Sequence, residues 1–501
     1  MALTRRSFIR WVISAGAAMA CPVPGWARGS GQTPGGRPKT RLDSEANEIC
    51  HQSRDGLAMP VPAPSLSCDI LIVGGGPSGL AAADELKDQD FLLLEKEPYL
   101  GGNSYTESWQ GLNYSTGAAW DSSSDPSFAA LVKRWNFDWK PIKGEDSVCY
   151  DGVWIRDFWN GRADNPAFDK LPYPKAVKDS FRQFLRDIEK IDTEKQMESL
   201  DARPFSDFLE GYSPQLQAFW DCFGPSNWGA TSRHTSAYLG LQAAKDWFRT
   251  QRYTWEGGIG VASQIVWRGL PEKAKKRALT GATVYRLARQ KGRVWATFMH
   301  EGKPRTVEAR AAVVAAPKYI ARRLVDRLPA DQAAAMSAMR YAPYMVYNLC
   351  FDRMVYNRSY DNWVVGARNF TDFIPADWVT HGDGGDPARK QVITVYAPRP
   401  EQERPELLDD ELVLHAAEQA VSELVSLFPD WERQLSEVRI FRRGHPLPMS
   451  VPGYATRLQP LASRDLPPIY FGHSDSAGEV SDFFYAALNG ISAARKTLKH
   501  L

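Results

Sequence analysis

The sequence predicts an α/β protein: a domain on a parallel sheet, which the chain leaves and re-enters, joined to a mixed α+β domain. Three observations predict it. The apolar run Cys68–Val73 passes straight into a glycine-rich turn and a helix, a second apolar run, Phe91–Leu94, ends in the acid Glu95, and Ile469–Ala494 again reads strand, glycine turn, helix. A length of 501 residues, 43% apolar and 24% charged, suits a globular protein with room for two domains. Lys plus Arg total 61 against 59 Asp plus Glu, so no strong field draws nucleic acid or anionic lipid. The 17 Trp, 19 Tyr and 22 Phe are expected as walls of an apolar cavity or partners of a planar ligand.

Residues 1–27 read as a targeting segment. Arg5, Arg6 and Arg10, with no acid, precede the short, small-residue stretch Trp11–Ala20, which ends in Ala18, Met19 and Ala20. Arg5 and Arg6 open the string RRSFIRWV in the manner of a twin-arginine signal, which exports proteins already folded, so a periplasmic or exported protein is expected. A disordered terminus or a short anchor is the alternative. Loss of the three arginines takes the net charge from +2 to −1. No other segment approaches 18 consecutive apolar residues, so no stable membrane span is expected. Cys21 follows the cut, but Ala18 stands where a lipoprotein signal has Leu. Residues 28–66, rich in Gly, Pro, Ser and charge, read as a flexible tether. The six cysteines form no CxxC and lack ligand spacing, which argues against a metal site; a Cys50–Cys68 disulfide stays open.

The first unit carries the clearest chemistry. The β-branched strand ends at Gly74, Gly75, Gly76, Pro77, Ser78 and Gly79, and Leu80–Lys87 supplies helix formers with small alanines. Gly74 permits the tight turn, Gly76 leaves room for a pyrophosphate against the backbone, and Gly79 allows close helix packing. The helix N-terminus offers unsatisfied N–H groups to the diphosphate. Glu95, 19 residues beyond Gly76, sits where a carboxylate accepts from ribose hydroxyls and repels a 2′-phosphate. Strand, glycines, helix, second strand and acid in one register make a Rossmann-like dinucleotide site.

Pro98–Ser104 (PYLGGNS) adds a second glycine turn just after Glu95, and Tyr114–Trp120 reads YSTGAAW. Here the chain resembles the flavin-containing amine oxidase superfamily, which includes protoporphyrinogen oxidases and carotenoid desaturases. The resemblance implies FAD rather than NAD, with Gly101, Gly102 and Asn103 closing over the cofactor beside Pro77, Ser78 and Trp120. It continues through GATVYRL, where Val284 takes the adenine position, AAVVAAP, and IYFGHSDSAGEVSDFFYAALNGISAA, whose Asp475 is the expected ribityl contact. Four positions depart from the family pattern. Asn103 replaces an Arg, the acid of the last turn is shifted to Asp475, no Cys follows Cys350, so the FAD is expected to be non-covalent, and Met345 stands where many members carry an active-site Lys.

The chain then divides into cofactor segments 67–150, 251–340 and 441–501, separated by a helical substrate segment 151–250 and a mixed one 341–440. Trp255–Ala262 (WEGGIGVA) reads as a turn that either approaches flavin or substrate or simply caps a helix. In RRGHPLPMSVPGY, His445 is the catalytic candidate, with a structural histidine as the alternative; Phe483, Phe484 and Tyr485 open the last helix, and Tyr485 is the second candidate. The resemblance implies an FAD-dependent amine oxidase type enzyme, with a small-molecule amine as substrate and oxygen or a periplasmic acceptor for the electrons. A flavin-dependent desaturase or isomerase of a lipid-like polyene, and a non-catalytic flavin-binding partner protein, are the alternatives.

Overall fold

The computed structural model describes residues 38–122, 125–143, 146–249, 251–478 and 480–501; the targeting segment 1–27 lies outside the described residues. Two large sheets organise the chain. In the seven-stranded sheet, Leu66–Val73 lies between Phe91–Leu94 and Lys303–Val314, both parallel to it. Lys303–Val314 is long enough to serve two neighbours: its first half pairs with the antiparallel hairpin Ala282–Gln290 and Arg293–His300, its second with the parallel strand Ile469–Phe471. The alternative of strands buried on both faces explains why these runs are continuous rather than alternating apolar sequence.

Helix Pro77–Glu85 starts with Pro at its first turn and is buried from Ser78 to Asp84. The final helix, Phe483–His500, is capped by Asp482, which accepts from the Tyr485 N–H at 2.7 Å, and it packs on the first. A Cβ on Gly490 would fall 2.0 Å from the Ser78 carbonyl oxygen, so only glycine permits this approach.

The eight-stranded sheet runs in the order Lys39–Asp43, Leu435–Pro448, Tyr341–Phe351, Gln391–Pro398, Asp372–Pro375, Asn362–Val364, Ser147–Tyr150, Val153–Arg156. One face carries helix Asp410–Leu427, whose Val413, Ala416, Ala417, Ala420, Val421 and Leu424 are buried. Helices Lys175–Lys190 and Pro214–Trp228 bring Phe181, Phe184, Phe219, Trp220 and Trp228 into one core with Trp159 and Phe168. Much of the aromatic content therefore packs a core between helices, where the sequence suggested cavity walls.

The tether expected over 28–66 does not hold for its described part. Lys39–Asp43 adds a parallel edge strand to Leu435–Pro448, and Glu48–Arg54 is a helix, because open edge N–H and C=O groups on Leu435–Pro448 give the segment a partner that its own composition cannot reveal. The division at 440/441 likewise falls inside the continuous strand Leu435–Pro448, and the one at 150/151 lies in the turn of the hairpin Ser147–Arg156. No Cys50–Cys68 disulfide forms: both thiols are free, Cys68 lying within the parallel strand and Cys50 on the added helix. No helix among the described residues is long and apolar enough to cross a membrane, and among them no cluster of His, Cys, Asp and Glu is arranged to hold a metal.

Candidate functional site

A cavity of about 880 Å³ is lined by residues of both large sheets. One end is built by the glycine turn. Gly74 has φ +105°, and a Cβ there would meet the Ala315 carbonyl oxygen at 2.7 Å, while a Cβ on Gly79 would lie 1.8 Å from the Gly74 oxygen. The second turn folds over the first: the Gly101 N–H donates to the Gly75 carbonyl at 2.9 Å, and a Cβ on Gly102 would stand 3.1 Å from Gly76 Cα. Two backbones free of side chains thus face each other at a helix N-terminus, a shape and polarity that fit a diphosphate.

Glu95 lines this end. Its carboxylate accepts the Gly75 N–H at 2.6 Å and the Glu97 N–H at 2.8 Å, one on each oxygen, and each oxygen keeps a further acceptor direction. Burial pushes its carboxyl above the usual range against those two donors and Lys96. Gly74, Gly76, Pro77, Ser78, Gly102, Asn103, Trp120 and Val284 also line the cavity. Gly79 and Gly101 do not; they shape the turns from behind. Asn103 donates to the Pro446 carbonyl at 3.0 Å, tying the second turn to the end of the long strand Leu435–Pro448.

Asp475 is a correction. Its carboxylate faces away from the cavity into a fully buried ion pair with Lys318, whose ammonium donates at 2.6 Å; the Lys318 backbone N–H at 2.8 Å, the Tyr341 hydroxyl at 2.6 Å and His473 Nδ1 at 3.1 Å complete the set. Burial opposes its charge, but Lys318 and then His473 hold the carboxyl well below the carboxylate range. The neighbours His473 and Ser474 line the cavity instead. The shifted acid of the last turn is thus spent on fixing that turn to helix Lys318–Leu324.

His445 lines the cavity with its ring stacked on Tyr319, centroids 4.1 Å apart, and close to Glu45 and Arg404. Burial and then Arg404 push its pKa down to about 3, so the imidazole is neutral at ordinary pH. Tyr485 also lines the cavity, edge-on to Phe128 at 5.1 Å; Phe483 lines it too, while Phe484 packs in the core behind. Met345 is buried under the sheet, where its sulfur accepts from the Tyr347 hydroxyl at 3.5 Å; its strand neighbours Tyr344 and Val346 present their side chains to the cavity, as the period of two requires. The turn Trp255–Ala262 lines nothing: Gly260 packs on Thr106, whose backbone N would be 2.4 Å from a Cβ, so the turn serves packing.

Several lining residues escaped sequence reasoning. Arg443 is buried, donates to the Tyr99 hydroxyl at 2.9 Å, and its Nη1 has no partner. Glu45, from the segment read as tether, accepts the Gly444 N–H at 3.0 Å and stands 3.7 Å from the Lys96 ammonium. Burial works against its ionisation, but Lys96 and then Arg443 hold its carboxyl below the usual range. Asp121, directly after Trp120, is pushed up to about 7 by burial although the Ser122, Phe483 and Phe484 N–H groups bond it. The opposite wall comes from the eight-stranded sheet and helix Pro214–Trp228, with Tyr344, Asp361, Asp372, Tyr396 and Ser226. The string RRGHP did contain a signal for Arg443, since an Arg beside a turn at the site could replace the one missing at Asn103. Nothing local marked Glu45, Asp361 or Asp372.

The sequence model of the family described as flavin containing amine oxidoreductase matches residues 77–498. The chain is 21% identical to the oxidoreductase PigB of a Serratia species, over 85% of this chain and 74% of that protein. It is 26% identical to an L-amino acid dehydrogenase of a Synechocystis species, over 32% of this chain and 36% of that one. Among solved structures it resembles putrescine oxidase bound to putrescine, with a TM-score of 0.64 and 17% identity over 87% of this chain and all of that one. Cyclohexylamine oxidase from Brevibacterium oxydans gives a TM-score of 0.64 and 15% identity over 86% of this chain and 99% of that one. At these identities the two structures establish a shared fold.

Proposed function

The chain belongs to the flavin-containing amine oxidoreductase family, and on that premise we propose that it is an exported, FAD-dependent enzyme that oxidises a small-molecule amine. The observation that carries the reading is the single cavity joining the double glycine turn to a wall of tyrosines and carboxylates. Gly74–Gly79 and Gly102 would hold the diphosphate, Glu95 the adenosine ribose and Val284 the adenine, while the unpartnered Nη1 of Arg443 is a donor for a phosphate oxygen. Non-covalent binding is supported by the lack of any Cys after Cys350.

When bound, FAD would supply the two-electron oxidation of the amine-bearing carbon to an imine that water hydrolyses, with oxygen or a periplasmic acceptor as the final oxidant. The residues of the chain bind and orient. Trp120, Phe483 and Tyr485 give apolar faces that exclude water, and neutral His445 offers a hydrogen bond without repelling an ammonium. Export is supported by Arg5 and Arg6 ahead of a weakly apolar stretch.

The test is to purify the holoprotein, record its flavin spectrum and add monoamines, diamines and amino acids without oxygen. Bleaching of the flavin band by at least one amine is expected, and full retention of the oxidised spectrum with every amine would sink the reading. For export, Arg5→Lys with Arg6→Lys should leave precursor in the cytoplasm; unchanged processing would remove the twin-arginine assignment.

A further inference from the structure

At the wall formed by the eight-stranded sheet, Asp146 and Asp361 stand against the Arg252 guanidinium, and Asp372 lies close enough to repel Asp361. Asp146 takes both of its bonds from Arg252 Nη2, at 2.7 and 2.6 Å. Asp361 Oδ2 lies 3.7 Å from Arg252 Nη1, and its Oδ1, on a residue only 3% exposed, has no hydrogen-bond partner. Asp372 Oδ1 accepts from Thr371 at 2.6 Å and from Ser226 at 3.1 Å, and the Ser226 hydroxyl lies 2.7 Å from that of Tyr344. The Tyr396 hydroxyl, on a residue 7% exposed, is likewise unpartnered. Among the described lining residues the only lysine and arginine are Lys96 and Arg443, both engaged with Glu45 and Glu97 around the first glycine turns.

A buried carboxylate oxygen and a buried phenol without partners are costly in an empty wall and favourable once a cation enters. Burial, followed for Asp361 by the charges of Asp372 and Asp146, pushes the Asp361 carboxyl well up, and burial brings Asp372 to about 7. An arriving positive charge therefore favours the ionised form of both. Phe223 and Trp363 line the cavity beside them and offer apolar surface to a methylene chain.

We propose that Asp361 and Asp372, with the Tyr396 hydroxyl, bind a second cationic group of the substrate, so that the enzyme prefers α,ω-diamines to monoamines. The proposal rests on the amine-oxidising reading above and gives its substrate class. One nitrogen is presented neutral for oxidation, and the other remains an ammonium paired with the two carboxylates.

The experiment compares 1,5-diaminopentane with n-hexylamine, which puts a methyl where the second ammonium stands, on the holoprotein. Binding is read by calorimetry and flavin reduction by anaerobic stopped flow. The diamine is expected to bind about 30-fold or more tighter, the low end for a desolvated charge pair, with the same ratio in reduction at low concentration. In Asp361→Asn and Asp372→Asn that ratio should collapse toward one, while the flavin spectrum confirms a folded holoprotein; Tyr396→Phe should lower it less. Equal binding of the two compounds by the native protein, or a ratio that survives both Asn variants, would overturn the proposal. Should neither compound bleach the flavin, the amine-oxidising reading is judged by the wider amine screen above, while the calorimetric ratio and its loss in the Asn variants still decide the cation site.

Discussion

The two ends of the cavity were assembled by opposite means. At the dinucleotide end, the strand Leu66–Val73, the turn Gly74–Gly79 and Glu95 lie within thirty consecutive positions, and each residue finds its role through backbone geometry close at hand. At the other end, Ser226, Tyr344, Asp361, Asp372 and Tyr396 come from a helix, three strands and a loop spread over 170 positions, and none lies in a motif. At the first end cations meet the acids: Glu45, Glu95 and Glu97 face Lys96 and Arg443. At the second, Asp146 and Asp361 share Arg252, and Asp372 stands beside them without a cation of its own among its named partners. One end of the cavity is thus written in local backbone, whereas the other is composed of side chains brought together from distant parts of the chain.

The largest effect expected at the local end is Gly79→Ala. Its Cβ would sit 1.8 Å from the Gly74 carbonyl, and the backbone shift this forces costs on the order of 3 kcal/mol. Purified variant should carry little FAD by absorbance ratio; normal FAD content would break the assignment of this turn. Next comes Arg443→Met, which removes the buried guanidinium whose Nη1 has no partner. The FAD dissociation constant, read by fluorescence titration of the stripped protein, should rise roughly 10- to 100-fold, as for loss of one charge-assisted contact. An unchanged constant would place the cofactor phosphates elsewhere.

The substrate end is sharpened by pH. Asp372 in the folded protein titrates near 7 against an ordinary value of 3.8, so the folded state holds an extra proton between those values. Its contribution to stability is present at low pH and is lost as pH rises from 3.8 toward 7. Asp361, Asp146, Ser226 and Thr371 surround it and set the size of the effect. Asp372→Asn should flatten the pH dependence of denaturant stability across that window by about 1 kcal/mol or more; a slope equal to that of the native protein would show that the carboxyl is already ionised. The smallest effect lies outside both ends: Arg41→Ala breaks the bidentate pair with Glu107 at 3.0 and 3.1 Å, but Arg41 is half exposed, and stability should change by less than about 0.5 kcal/mol. A larger loss would mean that docking of the Lys39–Asp43 strand is coupled to the cavity it borders.

The same contrast explains what could be read and what could not. Gly74, Gly76 and Glu95 were legible because a glycine turn between a strand and a helix leaves few backbone solutions. Asp475 misled because a carboxylate near a cofactor turn looks like a ligand until Lys318, 157 positions away, claims it. The segment 28–66 looked like linker by composition, yet Lys39–Asp43 completes a sheet edge and Glu45 closes over Gly444. The aromatic count suggested a pocket, and Trp120, Tyr344, Trp363 and Tyr396 do line one, but Trp220, Phe181 and Phe184 serve helix packing instead.

By itself the sequence determined the α/β class, the place of the glycine turn and the acid that follows it, because these depend on φ, on missing Cβ atoms and on hydrophobic period over short distances. Only the tertiary structure decided which charges neutralise each other. Asp475 is paired and buried while Asp361 has an oxygen left over, and that difference depends on contacts between strands and helices far apart in the chain, where desolvation makes every unmatched charge count.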